Sequence, residues 1–375
     1  MNQNTTNPSQ QYVVGEHPDL PAPSGTVGPI AWIRTNLLSS TTNIILTILA
    51  VWFLYKILPP TLNWAFFDAV FTGEDRNACR AAGDGACWAF IGERFQLFIY
   101  GFYPHPERWR VNLAFLLLIV AVIPILFDKV PFRKAGLIFA VAFPFIAGWL
   151  LIGGFGLKPV PTDQFGGIML TLVVGVTGIA FSLPLGILLA LGRQSNLPII
   201  KVFCVSFIEF IRGVPLITLL FVASTMLSYF LPPGANFNLL LRVLIMVTLF
   251  ASAYMAEVVR GGLQAVPKGQ IEAADAMGLK YWQSMRLIVL PQALKISIPG
   301  IVNTFIGLYK DTTLVIIIGL LDPLGIGRAS LADTKWTGLS NEVYLFVAIF
   351  FFISCFAMSR YSLYLENKLQ TGHKR

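Results

Sequence analysis

Charge is what this sequence is short of. Asp, Glu, Lys and Arg make up 12% of its 375 residues, about half the share found in soluble globular proteins. Histidine is scarcer still. His17, His105 and His373 are scattered through polar segments, no two of them at metal-ligand spacing, and no hydrolytic constellation of nucleophile and base is visible. There is no G-x-x-x-x-G-K-[ST] stretch, so no loop cradles a nucleotide phosphate and the chain is not expected to hydrolyse ATP itself. The isolated Gly325-x-Gly327 is too short to mark a nucleotide site. Four cysteines are too few for a disulfide scaffold: Cys204 and Cys355 lie in apolar runs and read as small packing residues. Cys79 and Cys87 share one polar loop, and they bond if that loop faces an oxidising compartment and stay free thiols if it does not. The first 25 residues lack both a basic leading segment and an early apolar core, so they do not read as a cleaved signal peptide.

What the chain has instead is apolar length. Hydrophobic residues account for 55%, mean hydropathy is +0.70, and several runs reach ~20 apolar residues, enough to cross a bilayer as helix. The fold class that follows is an all-α polytopic membrane protein with about eight transmembrane helices. The spans fall at Asn43 to Leu58, Val111 to Phe127, Gly136 to Ile152, and about 167–191, 202–230, 240–258, 298–321 and 341–359. Pro59-Pro60 is expected to end the first. The aromatic run FQLFIYGFY reads as interfacial. The Gly- and Pro-rich stretch GGFGLKPVPTDQFGG is the best boundary in the chain. It separates a tail (1–39) and a three-span extension (40–165) from a five-span portion (166–362) and a short tail (363–375). Neither a tandem nor an inverted repeat is evident.

The net charge of +8 does not suggest nucleic acid, because Lys and Arg gather at the ends of apolar runs and form no basic-aromatic stripe. With both termini cytoplasmic, the inner segments carry 15 Lys and Arg and the outer ones 8, five of these in the long 59–110 loop where the rule is weak. That places the segment between the sixth and seventh spans in the cytoplasm.

That segment, Glu257 to Ala293, has an internal design. Gln270 to Met277 is a short helix former with Ala273, Ala274 and Ala276 between Glu272 and Asp275. Gly278 sits where a helix ends by turning through a left-handed residue, and a charged side chain there is expected to clash and strain. Pro291 stops or kinks the following piece. Ionisable groups in or beside spans are the other candidates, since each is costly without a partner or a purpose. Glu209 and Arg212 are three apart and can pair on one helix face, with Gly213 and Pro215 suggesting a helix break just after them. Glu257 and Arg260 have the same spacing. Lys310, Asp311, Thr312 and Thr313 form a polar cluster inside the seventh span. They read either as an interhelical pair or as lining of a path for a charged or zwitterionic solute. Glycines 175, 178, 186, 300, 307 and 319 read as close-packing positions.

Glu272-Ala273-Ala274, Gly278, and Ile288-x-Leu290-Pro291 resemble the EAA loop of the membrane subunits of bacterial ABC importers. Three further stretches, Glu209-Phe-Ile-Arg212-Gly-Val-Pro215, Ala253-Tyr-Met-Ala-Glu257-Val-Val-Arg260 and Lys310-Asp-Thr-Thr313-Leu, are similar to the polar amino acid branch of those permeases. The long N-terminal extension is similar to the M-type permease of general L-amino acid systems. The resemblance implies a type I importer core of five helices in the bacterial inner membrane. It implies an ATPase-coupling role for Glu272, Ala273, Ala274, Asp275, Gly278, Leu290 and Pro291, and a path or gate role for Glu209, Arg212, Pro215, Lys310, Asp311, Thr312 and Thr313. It also implies partners: ABC ATPase subunits that use ATP and Mg, a sibling permease, a periplasmic amino-acid-binding protein and membrane lipid. The chain itself would need no cofactor. Two rival readings stay open: an ABC permease for another small solute, such as an osmolyte or opine-like compound, and an ion-coupled secondary transporter.

Overall fold

The computed structural model describes residues 28–226, 229 and 237–369. The sequence expectations for residues 1–27 and 370–375, which include His17 and His373, lie outside the described residues. Among the described residues there is no β-sheet, only three isolated bridges. Among the same described residues, seven helices are long and apolar enough to cross a membrane, or eight if one sharply bent pair counts as a span.

The chain forms two compact units. One takes in the chain up to Ala69 together with Gly83–Ala86. It contains α1 (Pro29–Asn36) and α2 (Thr41–Leu62), the latter N-capped by Ser40, whose side chain accepts from the Asn43 N–H. Pro59 and Pro60 do not end α2, contrary to the sequence expectation. The helix continues to Leu62 and then widens into a π turn over Asn63–Phe67. Two adjacent prolines remove two N–H groups and so leave two carbonyls one turn earlier without their helical donors, yet the chain stays helical past them.

The other unit comprises Val70–Ala82 and the chain from Cys87 onward. Its elements are α3 (Arg76–Ala82), α4 (Trp88–Tyr100), α5 (Arg108–Leu126), α6 (Arg133–Ile152), α7 (Gly167–Arg193), α8 (Pro198–Gly213), α9 (Leu216–Phe221), α10 (Leu239–Ala265), α11 (Lys268–Ala276), α12 (Tyr281–Ser284), α13 (Leu290–Asp311), α14 (Pro323–Ser330) and α15 (Ser340–Leu369). The Gly/Pro connector lies inside this unit, between α6 and α7. At its centre is α10, 56% of whose most apolar window is buried, against 28% for α7. Small residues on the neighbouring helices let them approach α10, as interhelical packing in lipid requires. A Cβ added to Gly186 of α7 would lie 2.6 Å from the Met255 Cβ, and one on Gly300 of α13 2.7 Å from Val258 Cγ1. Gly175 and Gly178 are also tight, but Gly307 faces open space and Gly319 is a left-handed turn residue, so those two are not packing glycines.

The fifth span is not a straight crossing. α8 and the α9–π segment to Met226 meet at 103°, at Gly213-Val214-Pro215, where Pro215 has no N–H to continue the α8 ladder. Contacts fix the level of α8. Gly192, at the end of α7, lies against Ile200 and Cys204, and Arg193 bonds Glu209. From Ile200 to Glu209, then, α8 runs across the end of α7. Further on, the Arg242 guanidinium donates to the Ser224 carbonyl 2.8 Å away. Residues 212 to 224 therefore cover the distance between Glu257 and Arg242 on α10, 15 residues or about 22 Å.

A second core lies around α4, α14 and the start of α15. The aromatic run read as interfacial, residues 95–103, begins in the second half of α4, where Phe98 is fully buried against Phe346, and Phe90 earlier in the same helix is buried against Trp336. Cys79 and Cys87 are disulfide-bonded within the same cluster, and the Cys87 N–H donates to Glu342 Oε1 of α15 at 3.1 Å. α15 extends past the expected end of the last span, to Leu369. Its Tyr361 hydroxyl donates to the Ile125 and Leu126 carbonyls, and Lys368 pairs with Asp128 in the α5–α6 loop.

Candidate functional site

The hairpin from α11 to α12 is built by local chemistry. α11 ends at Ala276 with Met277 as its C-cap, and Gly278 follows at φ +73°. The Gly278 N–H donates to the Asp275 carbonyl (2.9 Å) and the Leu279 N–H to that of Ala274 (3.1 Å), the pair of bonds that closes a helix through a left-handed glycine. No atom lies within 4 Å of a Cβ built on Gly278. The expected clash is absent, and what glycine supplies here is the backbone angle alone. α12 restarts at Lys280, whose N–H is received by Gln283 Oε1 at 3.0 Å. A π turn over Met285–Val289 then leads into α13, with Pro291 in its first turn. Pro291 therefore does not stop the helix.

One face of the hairpin is fixed to the bundle. Val289 and Ala293 are buried with Leu263 and Val266 of α10 and the segment after it, and Ala274 of α11 is fully buried. A Cβ on Gly262 would overlap Ser297 and the Ala293 carbonyl, so α10 and α13 touch backbone to backbone there, and Ser297 Oγ donates to the Val258 carbonyl (3.1 Å). The other face is open. Glu272, Ala273, Asp275 and Gly278 are exposed, together with five large apolar residues, Ile271, Met277, Tyr281, Trp282 and Leu287. Leu290 is half-buried and Pro291 exposed.

Where α7, α8 and α10 meet, five charged groups form one node. Glu257 receives Arg260 through both carboxylate oxygens (2.8 to 3.2 Å), Arg193 at 2.9 Å and Arg212 at 3.6 Å. Glu209 Oε1 accepts from the same Arg193 Nη1 at 2.8 Å. The Arg212 guanidinium also lies over the Tyr254 ring. The pairing of Glu257 with Arg260 is as their spacing suggested. The expected Glu209–Arg212 pair is not formed: each reaches off its own helix, Glu209 to α7 and Arg212 to α10, because oppositely charged partners stand closer there. Arg193, which joins the two carboxylates, was counted from the sequence only as an inner-side charge. Its position after an apolar run of α7 marked it as a span end and did not show its partners.

The family model for binding-protein-dependent transport system inner membrane components matches residues 182–371, half of the chain, and that stretch contains the node and the whole hairpin. The chain belongs to this family. It is a multi-pass inner-membrane permease subunit of an ABC transporter and not an enzyme; ATPase and binding-protein partners come with the family in general. The inner membrane amino-acid ABC transporter permease protein YhdY of Escherichia coli (strain K12) is 51% identical over 96% of this chain and 98% of its own length. The glutamate/glutamine/aspartate/asparagine transport system permease protein BztC of Rhodobacter capsulatus is 46% identical over 94% of this chain and 96% of its own. A solved amino acid ABC transporter with histidines aligns over 54% of this chain and 92% of that one, at 29% identity and a TM-score of 0.48.

In this permease the polar cluster of the seventh span sits where helix geometry changes. α13 ends at Asp311 and a 3-10 segment runs from Thr312 to Ile318. Thr312 is buried, its hydroxyl donating to the Tyr309 carbonyl (2.8 Å), and Thr313 donates to that of Lys310 (3.0 Å). Lys310 is exposed and Asp311 half-buried, and neither joins an ion pair among the described residues. The interhelical pair considered from the sequence is thus not formed. The cluster is also separate from the node, so the candidate path residues divide into two groups, Glu209 and Arg212 at the node with Pro215 at the bend beside it, and Lys310 to Thr313 at the helix transition. Among the described residues no group of His, Cys, Asp or Glu is arranged to hold a metal.

Proposed function

We propose that this permease carries L-amino acids inward across the membrane by alternating access, driven by ATP hydrolysed on a separate subunit. The observation that carries the substrate class is that relatives matched over nearly the full chain, at 51% and 46% identity, bear names for amino-acid transport. The same names weigh against an osmolyte or opine-like solute. In this reading the first span enters from a cytoplasmic N-terminus, residues 40–165 are an extension, and residues 166–362 form the importer core. The α11–α12 hairpin then lies in the cytoplasm, where Glu272, Ala273, Ala274, Asp275 and Gly278 present the surface that ATPase subunits hold, braced by Leu290 and Pro291. ATP and Mg belong to those subunits. A sibling permease completes the membrane pair, and a periplasmic amino-acid-binding protein delivers solute.

The ATPases shift this permease only by the difference in how they hold its two states. The node at Glu257 stands at the root of the helix that leads into the hairpin, so a displacement of α11 is passed to α7 and α8 through it. Lys310 to Thr313, with polar atoms free of ion pairs where a helix changes pitch, suit a lining that meets a charged or zwitterionic solute.

The experiment is purification of the full chain from its native membrane under gentle detergent, identification of what accompanies it, and uptake of labelled amino acids by the reconstituted complex. Recovery of a P-loop ATPase with ATP-dependent uptake is expected. Uptake without ATP by the isolated chain would overturn the proposal in favour of an ion-coupled carrier. For the path, Asp311→Asn is expected to lower uptake while the ATPases stay bound. Unchanged uptake would remove Asp311 from it.

A further inference from the structure

A cavity of about 390 Å³ lies between α5, α6, α7 and α10. The only polar side chains among its lining residues are Thr177 and Trp149, and the Trp149 indole N–H already donates to the Gly154 carbonyl (3.1 Å). Water needs two or more polar partners to stay in such a space, and the walls do not offer them. The cavity begins at helix ends. Ile152 is the last residue of α6, Val111 lies in the first turn of α5, and Leu240 is the second residue of α10. From Ile152 the lining descends α6 to Phe143, nine residues or about 14 Å of helix, close to one leaflet of a hydrocarbon core about 30 Å thick. It is open sideways as well, since Phe145, Trp149, Ile152 and Leu241 are exposed.

The rim at the helix ends is cationic. Lys158 is exposed and joins no ion pair among the described residues. Its backbone is pinned beside the cavity: Arg110, paired with Glu107, donates to the Lys158 carbonyl (2.7 Å), and the Val160 N–H donates to that of Ile152 (2.8 Å). Arg108, in the first turn of α5, bonds Gln96 and the Tyr103 carbonyl and lies over the Tyr100 ring, without a carboxylate. Asp163 is the single acid of the connector, which leaves the rim with a surplus positive charge.

An apolar trough one leaflet deep, open to the bilayer, with an ammonium group at headgroup height matches an amphiphile with an anionic head. We infer that the cavity seats one acyl chain of a membrane phospholipid, with its phosphate at Lys158. The lipid packs α5 and α6, which precede the family-matched region, against α7 and α10. This rests on the chain's place in the membrane and is independent of which solute it carries.

The test uses the full chain, with whatever subunits accompany it, in nanodiscs of phosphatidylethanolamine and phosphatidylglycerol containing a photoactivatable phosphatidylglycerol with a diazirine on one acyl chain. After irradiation, label is expected on residues 111–118 and 143–152 at least fivefold more densely than on the exposed Phe352–Phe356 face of α15. A Cβ at Gly148 meets nothing within 4 Å, so Gly148→Phe grows into the cavity and should bring that label down to the α15 level with the melting temperature unchanged. Gly148→Leu serves if the larger residue prevents folding. Lys158→Glu should lower the label severalfold. Wild-type label no denser than on α15, or label unaffected by filling at 148, overturns the inference. So does a photoreactive residue at position 145 that links to another segment of this chain, or to a partner subunit, in place of lipid.

Discussion

Replacing Glu257 with Gln keeps the shape of the node and removes one charge from it. Three guanidiniums would then share the one remaining carboxylate, Glu209, which reaches only Arg193. Severing a fully buried ion pair costs about 3–5 kcal/mol, and an exposed pair is worth about 0.2–1 kcal/mol. The Glu257 side chain is 16% exposed and its partners 22–35%, so the node falls between these limits and the loss should be about 2 kcal/mol. For a protein of 375 residues that is about 2–3 °C in apparent melting temperature. The assay is a thermal melt of purified protein for Glu257→Gln, Arg193→Gln and the double variant. A coupling of about 1 kcal/mol is expected, retained in part at high salt because the pair is half-sheltered. Strict additivity, with coupling under about 0.3 kcal/mol, would refute the claim that Arg193 and Glu257 bind α7 to α10.

At Gly278 the space is open and only φ +73° resists a side chain, so Ala should cost about 1–2 kcal/mol and Asn less, read as faster amide exchange at Leu279. Gly262→Leu must push α13 off α10 and should cost at least about 3 kcal/mol, seen as failure to accumulate in the membrane. Breaking the Cys79–Cys87 bridge, eight residues apart, should cost about 2 kcal/mol, measured as a lower melting temperature after mild reduction that a Cys79→Ser, Cys87→Ser protein no longer shows. Asp322 caps α14, donated to by the Gly325 N–H, and burial pushes its carboxyl up to about 6. The folded state therefore favours the protonated acid. Stability from this group is full below about pH 4 and is lost as pH rises through 6, by up to about 3 kcal/mol, so Asp322→Asn should be the more stable form at pH 8 and lose its advantage by pH 4.

Much of this permease was legible because it is local. Each apolar run of ~20 residues must satisfy its own backbone in lipid, and a helix does that within the run, which is why the second, third and fourth spans needed changes of no more than three residues at their ends. The hairpin was legible for the same kind of reason. Gly278 closes α11 through bonds reaching no further than Ala274, and the bend at Pro215 follows from a missing N–H at that residue. Gly186 and Gly300 announced close packing by lacking a side chain, though nothing in the sequence set them apart from Gly307, which faces open space. Composition also decided that the chain works in a membrane, since 12% charge cannot cover a soluble surface.

The choice among partners was made in three dimensions. Spacing allowed Glu209 to pair with Arg212, but once α8 lies across the end of α7 and beside α10, Arg193 and Glu257 stand nearer, and Coulomb attraction follows distance whatever the sequence separation. Hydropathy also could not tell a straight fifth span from a helix lying across the bundle followed by a short crossing, because both bury or expose the same residues to an apolar medium. The burial of Phe90 and Phe98 depended on α14 and α15, more than 200 residues further along the chain. The amino-acid sequence determined which segments are helical, where they turn and that they sit in lipid. The tertiary structure decided which charges meet, which aromatic run is core, and where a gap the size of a lipid tail is left between helices.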